Sequence, residues 1–209
     1  AMPHNPNESK GKLFTETTLA GKPITKAYVQ TRASMEPLIE MMQVKGNSEV
    51  VPDFWPNDEF ADFENAVSLQ DYNDRKFRKE NFVRYGLTRG LKYKADLGTN
   101  PFKYGFVGGT DNHNGTPSNV AEDNYQVGSH GLVDRTAENR AKNILEGEMT
   151  VADLNPGALT GVWATSNTRG AIWDAMLAKE TFATSGPRMK VRAFAGQGFA
   201  PGYDSYEAL

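Results

Sequence analysis

The chain has 209 residues, enough for one sizeable core and too few to make two large domains the expectation. Its net charge of -3 and sequence pI ≈ 5.7 give no global basic field, so neither nucleic acid nor an anionic membrane is an expected partner. Cysteine is absent, which removes disulfides, thiolate metal sites and cysteine nucleophiles and leaves the redox compartment open. Mean hydropathy is -0.59, and no apolar run approaches the ~18 residues of a membrane-spanning helix. The histidines are His4, His113 and His130, so any metal site must lean on carboxylates or be small. The start, Ala1-Met2-Pro3-His4-Asn5, has no charged n-region and no signal-like apolar core. It reads as the middle of something, with upstream sequence expected.

Asn5 to Gly11, rich in Asn, Ser and Gly, reads as a loop. Thr25 is a plausible N-cap for a helix to about Met35, stopped by Pro37. Leu38 to Val44 reads as a buried strand with Glu40 as an embedded polar residue, and Lys45 to Glu49 as the loop at its carboxyl end. Val51 to Asn65 is acidic and aromatic, interrupted by Pro52 and Pro56, and predicts a long loop or lid packing its rings onto the body. Tyr72 to Leu97 is the longest helical stretch, with Val83, Leu87, Leu91 and Ala95 on one ladder and Gly98 as C-cap. Its Lys and Arg excess reads as a solvated face.

Tyr104 to Val107 then predicts a short buried strand, followed by Gly108 and Gly109 and by the pair Asp111 and His113. Gly115 to Asp134 reads as a second long loop, with His130 in it as a surface histidine. Thr136 caps an expected helix through Leu145, Asn155-Pro156-Gly157 a turn, and Leu159 to Ala164 a strand. A helix starting at Asn167 or Thr168, a strand over Thr181 to Thr184, a turn at Ser185-Gly186-Pro187 and a half-exposed strand over Met189 to Phe194 complete the chain. This strand–helix–strand order predicts an α/β fold with mostly parallel pairing.

On an extended segment Asp111 and His113 would point to the same side, just past a strand's carboxyl end, where α/β folds place their sites. An Asp oxygen and a His nitrogen suit Zn, Mn or Fe. An isolated D-x-H equally fits a turn-capping Asp beside a surface His; the preceding strand and the two glycines raise the ligand reading. No G-x-S-x-G, P-loop, G-x-G-x-x-G or H-E-x-x-H pattern is present.

Gly108-Gly109-Thr110-Asp111-Asn112-His113 resembles the G-x-D-x-H segment that closes the metal site of the PHP (polymerase and histidinol phosphatase) superfamily. Pro3-His4-Asn5 resembles its earlier A-H-P segment. Pro3 to Asn7, Lys45 to Glu49, Asn57 to Glu64 and Glu180 to Arg188 together resemble the carboxy-terminal part of a large bacterial domain-of-unknown-function family allied to PHP proteins. The likeness runs through nearly the whole chain.

It implies part of a distorted (β/α)7 barrel, mostly parallel with outer helices, and metal-dependent hydrolysis of phosphoesters. It further implies His4, Asp111 and His113 as ligands of a divalent Zn, Mn or Fe, with Asn5, Asn112 and Asn114 available to orient the imidazoles. Glu49 becomes a candidate catalytic residue, as substrate contact, proton shuttle or supporting carboxylate. His4, Glu49 and Asp111 are expected at one rim. Lys45, Asn47, Asn114 and Arg188 become candidate contacts to an anionic small-molecule substrate. For Lys45 and Arg188, plain solvent-exposed charge is the competing reading.

The departure from the PHP pattern is at the front, where no H-x-H pair occurs. Residues 1–209 are therefore expected to form one domain, the carboxy-terminal part of a larger barrel. Its open strand edges should favour association with a second copy, and it should hold at most one loosely bound ion. The alternative is a non-catalytic ligand- or partner-binding module retaining an incomplete metal site.

Overall fold

Thr25 is extended, and its hydroxyl accepts a hydrogen bond from the Tyr28 amide at 3.3 Å, which starts helix α1 (Lys26–Met35) where a capping threonine was expected. The computed structural model describes residues 1–63, 65, 77–111, 128–129, 132–133, 158–185 and 188–198, of which 128–129 and 132–133 by their backbone. After Pro37 the chain enters β1 (Leu38–Gln43), whose Leu38 and Ile39 are buried. The chain then turns back at once. β2 (Gly46–Asn47) pairs antiparallel with β1 through Met42–Asn47 and Gln43–Gly46, so part of the expected loop is the return arm of a tight hairpin. On the other side β1 is parallel to β3 (Gly105–Gly108), with Leu38 opposite Gly105 and Glu40 opposite Val107, and one irregularity between Glu40 and Met42.

Helix α2 (Val83–Leu97) begins well after Tyr72, the residue from which a helix was expected. Residues 72–76 lie outside the described residues. The described approach to the helix is a 3-10 turn, Lys79–Asn81, followed by an extended Phe82. Two donors at the start of α2 are taken up outside it: Val83 N–H donates to Ser48 O at 2.9 Å and Arg84 N–H to Glu49 O at 3.3 Å. The loop after β1 thus caps the helix. Gly98, left-handed at φ 81°, ends it as expected, its N–H donating to Lys94 O at 3.1 Å.

The buried face of α2 is Val83, Gly86, Gly90 and Tyr93, whereas Leu91 of the expected ladder is 66% exposed. This face packs on Phe14, Val29, Ile39, Phe102 and Tyr104. Phe14 meets Phe102 edge-on at 5.2 Å. The buried Arg32 lies over the Phe102 ring at 4.7 Å and donates to Leu13 O and to Glu36, at 2.8 and 2.6 Å. Of the proline-interrupted stretch after Val51, Phe54 and Trp55 pack on Phe82 as expected, but Phe60 and Phe63 remain exposed.

β6 (Ala158–Val162) and β7 (Thr181–Ser185) are joined through helix α3 (Arg169–Leu177), which Thr168 caps by accepting from Ala171 N–H at 3.3 Å. The two strands are antiparallel over five registered pairs. They dock against β3 because Gly108 leaves room. A Cβ there would lie 3.3 Å from both Ala183 Cβ and Thr184 O, and the Thr160 hydroxyl accepts from Gly108 N–H and donates to Gly108 O at 3.1 and 2.7 Å. Two short strands, β4 (Gly128–Ser129) and β5 (Leu132–Val133), pair antiparallel within the expected second long loop. The expected helix from Thr136 to Leu145 and the turn at Asn155-Pro156-Gly157 lie outside the described residues, as do Gly186 and Pro187 of the later turn.

The fold expectation is corrected here. Among the described residues there is no barrel and no mostly parallel sheet; β1–β3 is the single parallel pair, and the other pairs are antiparallel. A mixed α/β fold is what the chain adopts. The order of strands and helices constrains which elements are neighbours, but their directions depend on how many times the intervening loops reverse the chain. Residues 189 to 194 are also not a strand: Met189, Val191 and Phe194 are exposed, and the segment is held by Trp163 Nε1 donating to Val191 O at 3.3 Å. Alternation without a neighbouring strand forms no ladder. No helix of the described residues is long and apolar enough to cross a membrane.

Candidate functional site

β1 and β3 run parallel, so their carboxyl ends share one edge. Gly109 N–H donates to Met42 O at 3.1 Å and holds the exit of β3 beside that of β1. Two residues on, Asp111 takes a left-handed φ of 53°. The segment is therefore turned rather than extended at Asp111, which removes the basis for placing it and His113 on one side. The Lys45 ammonium, just beyond β1, pairs with the Asp111 carboxylate and also donates to Gln43 Oε1 at 3.2 Å. Gln43 is almost fully buried, and its Nε2 donates to Glu40 Oε2 at 3.1 Å. A polar chain thus runs from Asp111 through Lys45 and Gln43 to Glu40.

The segment carrying His4 is fastened to the same strand on both sides of the histidine. Glu40 N–H donates to Pro3 O at 3.1 Å, and Asn5 N–H donates to Glu40 Oε2 at 2.9 Å. His4 itself is exposed. Burial pushes the Glu40 carboxyl above its ordinary value; the Asn5 N–H, the Gln43 amide and His4 oppose this, and the Asp111 charge adds to it. His4 and Asp111 are both within electrostatic reach of Glu40. Asn5 Oδ1 is buried beside them with no hydrogen-bond partner.

The raised Glu40 value has a measurable consequence. A carboxyl that holds its proton more tightly folded than unfolded, where its value is about 4.3, adds stability at low pH. That contribution is lost as pH rises through the folded value. Glu40→Gln has no charge to desolvate, so its Tm should exceed the wild-type value by a margin that widens above about pH 4 and then levels off. Thermal unfolding of both proteins across the acid-to-neutral range measures this. A margin independent of pH would show that Glu40 titrates alike in the folded and unfolded chain.

Of the residues singled out from sequence, Lys45 and Asp111 are brought into direct contact. Glu49 is held by Arg84 of α2 at 2.6 Å, and Arg84 also pairs with Asp58. Asn47 is buried and committed to the backbone: its Oδ1 accepts from Glu49 N–H at 2.7 Å and its Nδ2 donates to Phe63 O at 3.2 Å. Arg188 is exposed. His113 and Asn114, with Asn112 and His130, lie outside the described residues. Glu40 and Gln43 were not singled out as site residues; a Glu and a Gln inside an otherwise apolar, buried strand were the signal that marked them.

Among the described residues no cluster of three or more His, Asp or Glu side chains is arranged to hold an ion. The exposed His4 imidazole, the Glu40 and Asp111 carboxylates and the partnerless Asn5 amide oxygen are of kinds that bind Zn, Mn or Fe, but they are not gathered round one point. A cavity of about 800 Å³ is lined by Met41, Phe60, Phe106, Trp163, Phe182 and Arg192 among others, and Glu49 also borders it.

Over residues 1–208 the chain matches the family described as protein of unknown function (DUF3604). The chain belongs to that family. The DUF3604 match takes in every residue of the edge, from His4 through Glu40 and Lys45 to Asp111, and the described wall of the cavity. No curated protein and no solved structure matches this DUF3604 chain.

Proposed function

We propose that this chain is part of a metal-dependent hydrolase of the PHP-like type, acting on a phosphoester or a related anionic substrate through a metal-activated water. The observation that carries the reading is the meeting of Lys45 and Asp111 at the shared carboxyl edge of β1 and β3, with His4 and Glu40 within electrostatic reach. That the family is bacterial and allied with PHP proteins is part of the same proposal; the alliance rests on the likeness of the Gly108–His113 and Pro3–Asn5 segments. A divalent ion, when bound, lowers the pKa of its water to about 7 and polarises the scissile bond. His4 and Asp111 would hold the ion, and His113, outside the described residues, would join them on the family resemblance alone. Lys45 and Arg188 would hold the anionic group of the substrate, and Glu49 would be the carboxylate for proton movement.

Asp111→Ala should abolish stoichiometric Zn or Mn uptake measured by elemental analysis, and with it hydrolysis of p-nitrophenyl phosphate. Uptake equal to that of the wild type would put the ion elsewhere and remove the ligand set.

The aromatic cavity favours a second reading, a non-catalytic module that binds a ligand or partner there. A protein that takes up metal and turns over no phosphoester would favour this second reading.

A further inference from the structure

We propose that the aromatic cavity takes an aromatic anion, a molecule of one or two flat rings bearing an anionic oxygen group, with its rings on Phe60 and Phe182 and its charge at Lys179. This rests on the second reading above, that the cavity holds a ligand, and it needs neither a metal ion nor turnover.

Size and lining set the body of the ligand. A cavity of about 800 Å³ is of the size that holds a small organic molecule. Separate stretches of the chain bring rings to it: Phe60 and Phe63 after β2, Phe106 in β3, Trp163 after β6, Phe182 in β7, and Phe194. The Trp163 and Phe182 rings stand 5.7 Å apart. Phe60 and Phe63 border the cavity and yet are 72% and 48% exposed, so the chain leaves much of their surface uncovered. A flat apolar body would cover it and stack there.

Charge sets the other end. The charged residues of the described lining are Glu49, Glu180, Lys179 and Arg192. Both carboxylates are already paired with arginines, Glu49 with Arg84 at 2.6 Å and Glu180 with Arg192 at 2.9 Å. Arg192 lies 5.4 Å from the Trp163 and Phe194 ring centres, where a cationic ligand would otherwise sit. Lys179 has no carboxylate partner among the described residues; its ammonium donates to the Lys103 carbonyl. Burial pushes the Lys179 pKa down, and the neighbouring Lys103 charge lowers it further, so an anion at this end would offset both. The acidic Asp58, Glu59 and Asp62 near Phe60 are outside the described lining, and Asp58 is paired with Arg84. Lys179 also stands just past α3 in a left-handed conformation, φ 66°, where glycine is the usual residue. A cation there also steadies the helix end. That role would show in stability, not in the choice of ligand.

The test is calorimetric titration of the full chain, in EDTA so that no divalent ion takes part. The probes are naphthoate, its neutral analogue naphthylmethanol, its cationic analogue naphthylmethylammonium, and acetate. Naphthoate should bind about tenfold more tightly than the alcohol, the margin of one charge-assisted hydrogen bond. The ammonium analogue should bind more weakly than either, and acetate, without a ring, should not bind measurably. Lys179→Met should remove the margin between naphthoate and the alcohol, and Lys179→Arg should keep it. Folding is checked by circular dichroism, and Lys179→Gln gives the same readout should Lys179→Met fail to fold. Phe60→Ala, at an exposed position, should weaken naphthoate and the alcohol alike, by roughly fivefold, which places both in the cavity. If the alcohol or the ammonium analogue binds as tightly as naphthoate, or the margin survives the loss of Lys179, the anion inference is overturned while the cavity remains a ligand site. If no naphthalene probe binds, or Phe60→Ala binds them as the wild type does, the inference falls together with the reading of the cavity as their site.

Discussion

Gly86→Ala should destabilise the fold by about 3 kcal/mol, the upper part of the range for overpacking a closed core. Gly86 lies on the buried face of α2, and a Cβ there would sit 2.5 Å from two ring atoms of Phe14. The ring has no free direction. Phe14 is fully buried and stands edge-on to Phe102, which is itself stacked on Tyr104 and covered by the Arg32 guanidinium. Alanine gains about 1 kcal/mol of helix propensity over glycine, which opposes the clash without cancelling it. Each kcal/mol lost should lower Tm by roughly 2–4 °C in a chain of this size. Urea and thermal unfolding measure the loss, and Phe14→Leu in the same chain should restore part of it by removing the ring edge. An unchanged Tm in Gly86→Ala would mean that Phe14 moves aside freely and that the α2 face is loosely packed.

The same glycine explains why the helix face was misjudged from sequence. Apolar periodicity detects side chains that bury area, and Val83, Leu87, Leu91 and Ala95 satisfy that pattern. The contact is made by the absence of side chains at Gly86 and Gly90, so the buried face is centred on them and leaves Leu91 exposed, with Leu87 packed at its border. Elements whose cause is local were legible. Thr25 and Thr168 cap α1 and α3, Gly98 ends α2, and β1 and β3 are apolar runs between turn residues. Strand direction is set by loops and by distant partners, and β6 with β7 is antiparallel where parallel pairing was expected.

The site divides along the same line. That Asp111 follows a buried strand could be read from Tyr104 to Gly109. The ion pair with Lys45 could not, because the two residues are 66 positions apart and meet only when β1 and β3 pair. Glu40 was visible as a polar residue in a buried strand, yet its link to His4 depends on the Pro3–Asn5 segment lying along β1. Glu49 sits in the expected loop, but its carboxylate partner is Arg84, and nothing in the spacing of charges names that arginine.

Asn7→Ala should cost about 3 kcal/mol, and it should disturb the candidate site as well as the core. In composition Asn5 to Gly11 reads as solvated loop, yet Asn7 is 2% exposed. Its Nδ2 donates to Lys45 O at 2.6 Å, and its Oδ1 accepts from the Ser48 hydroxyl at 3.0 Å. Its own carbonyl accepts from Asn81 Nδ2, just ahead of α2. One amide therefore ties the segment bearing His4 to the loop bearing Lys45 and Glu49. Alanine keeps the backbone bonds and removes both side-chain bonds, leaving the Lys45 carbonyl and the Ser48 hydroxyl without those partners. An unsatisfied buried polar group costs about 1–3 kcal/mol. Ser48→Ala removes the Ser48 bond, together with the longer Asn7 N–H bond to the same hydroxyl at 3.4 Å, and leaves the Lys45 bond in place, so it should cost less than Asn7→Ala. Urea unfolding gives the stability loss. Mn(II) titration gives the second readout: Asn7→Ala should bind the ion more weakly than Ser48→Ala, because it removes both side-chain ties from the segment bearing His4 to the loop after β1, where Ser48→Ala leaves the one to Lys45 O. Equal Mn(II) affinity in the two variants would confine Asn7 to stabilising the fold and leave the placement of His4 and Lys45 to β1.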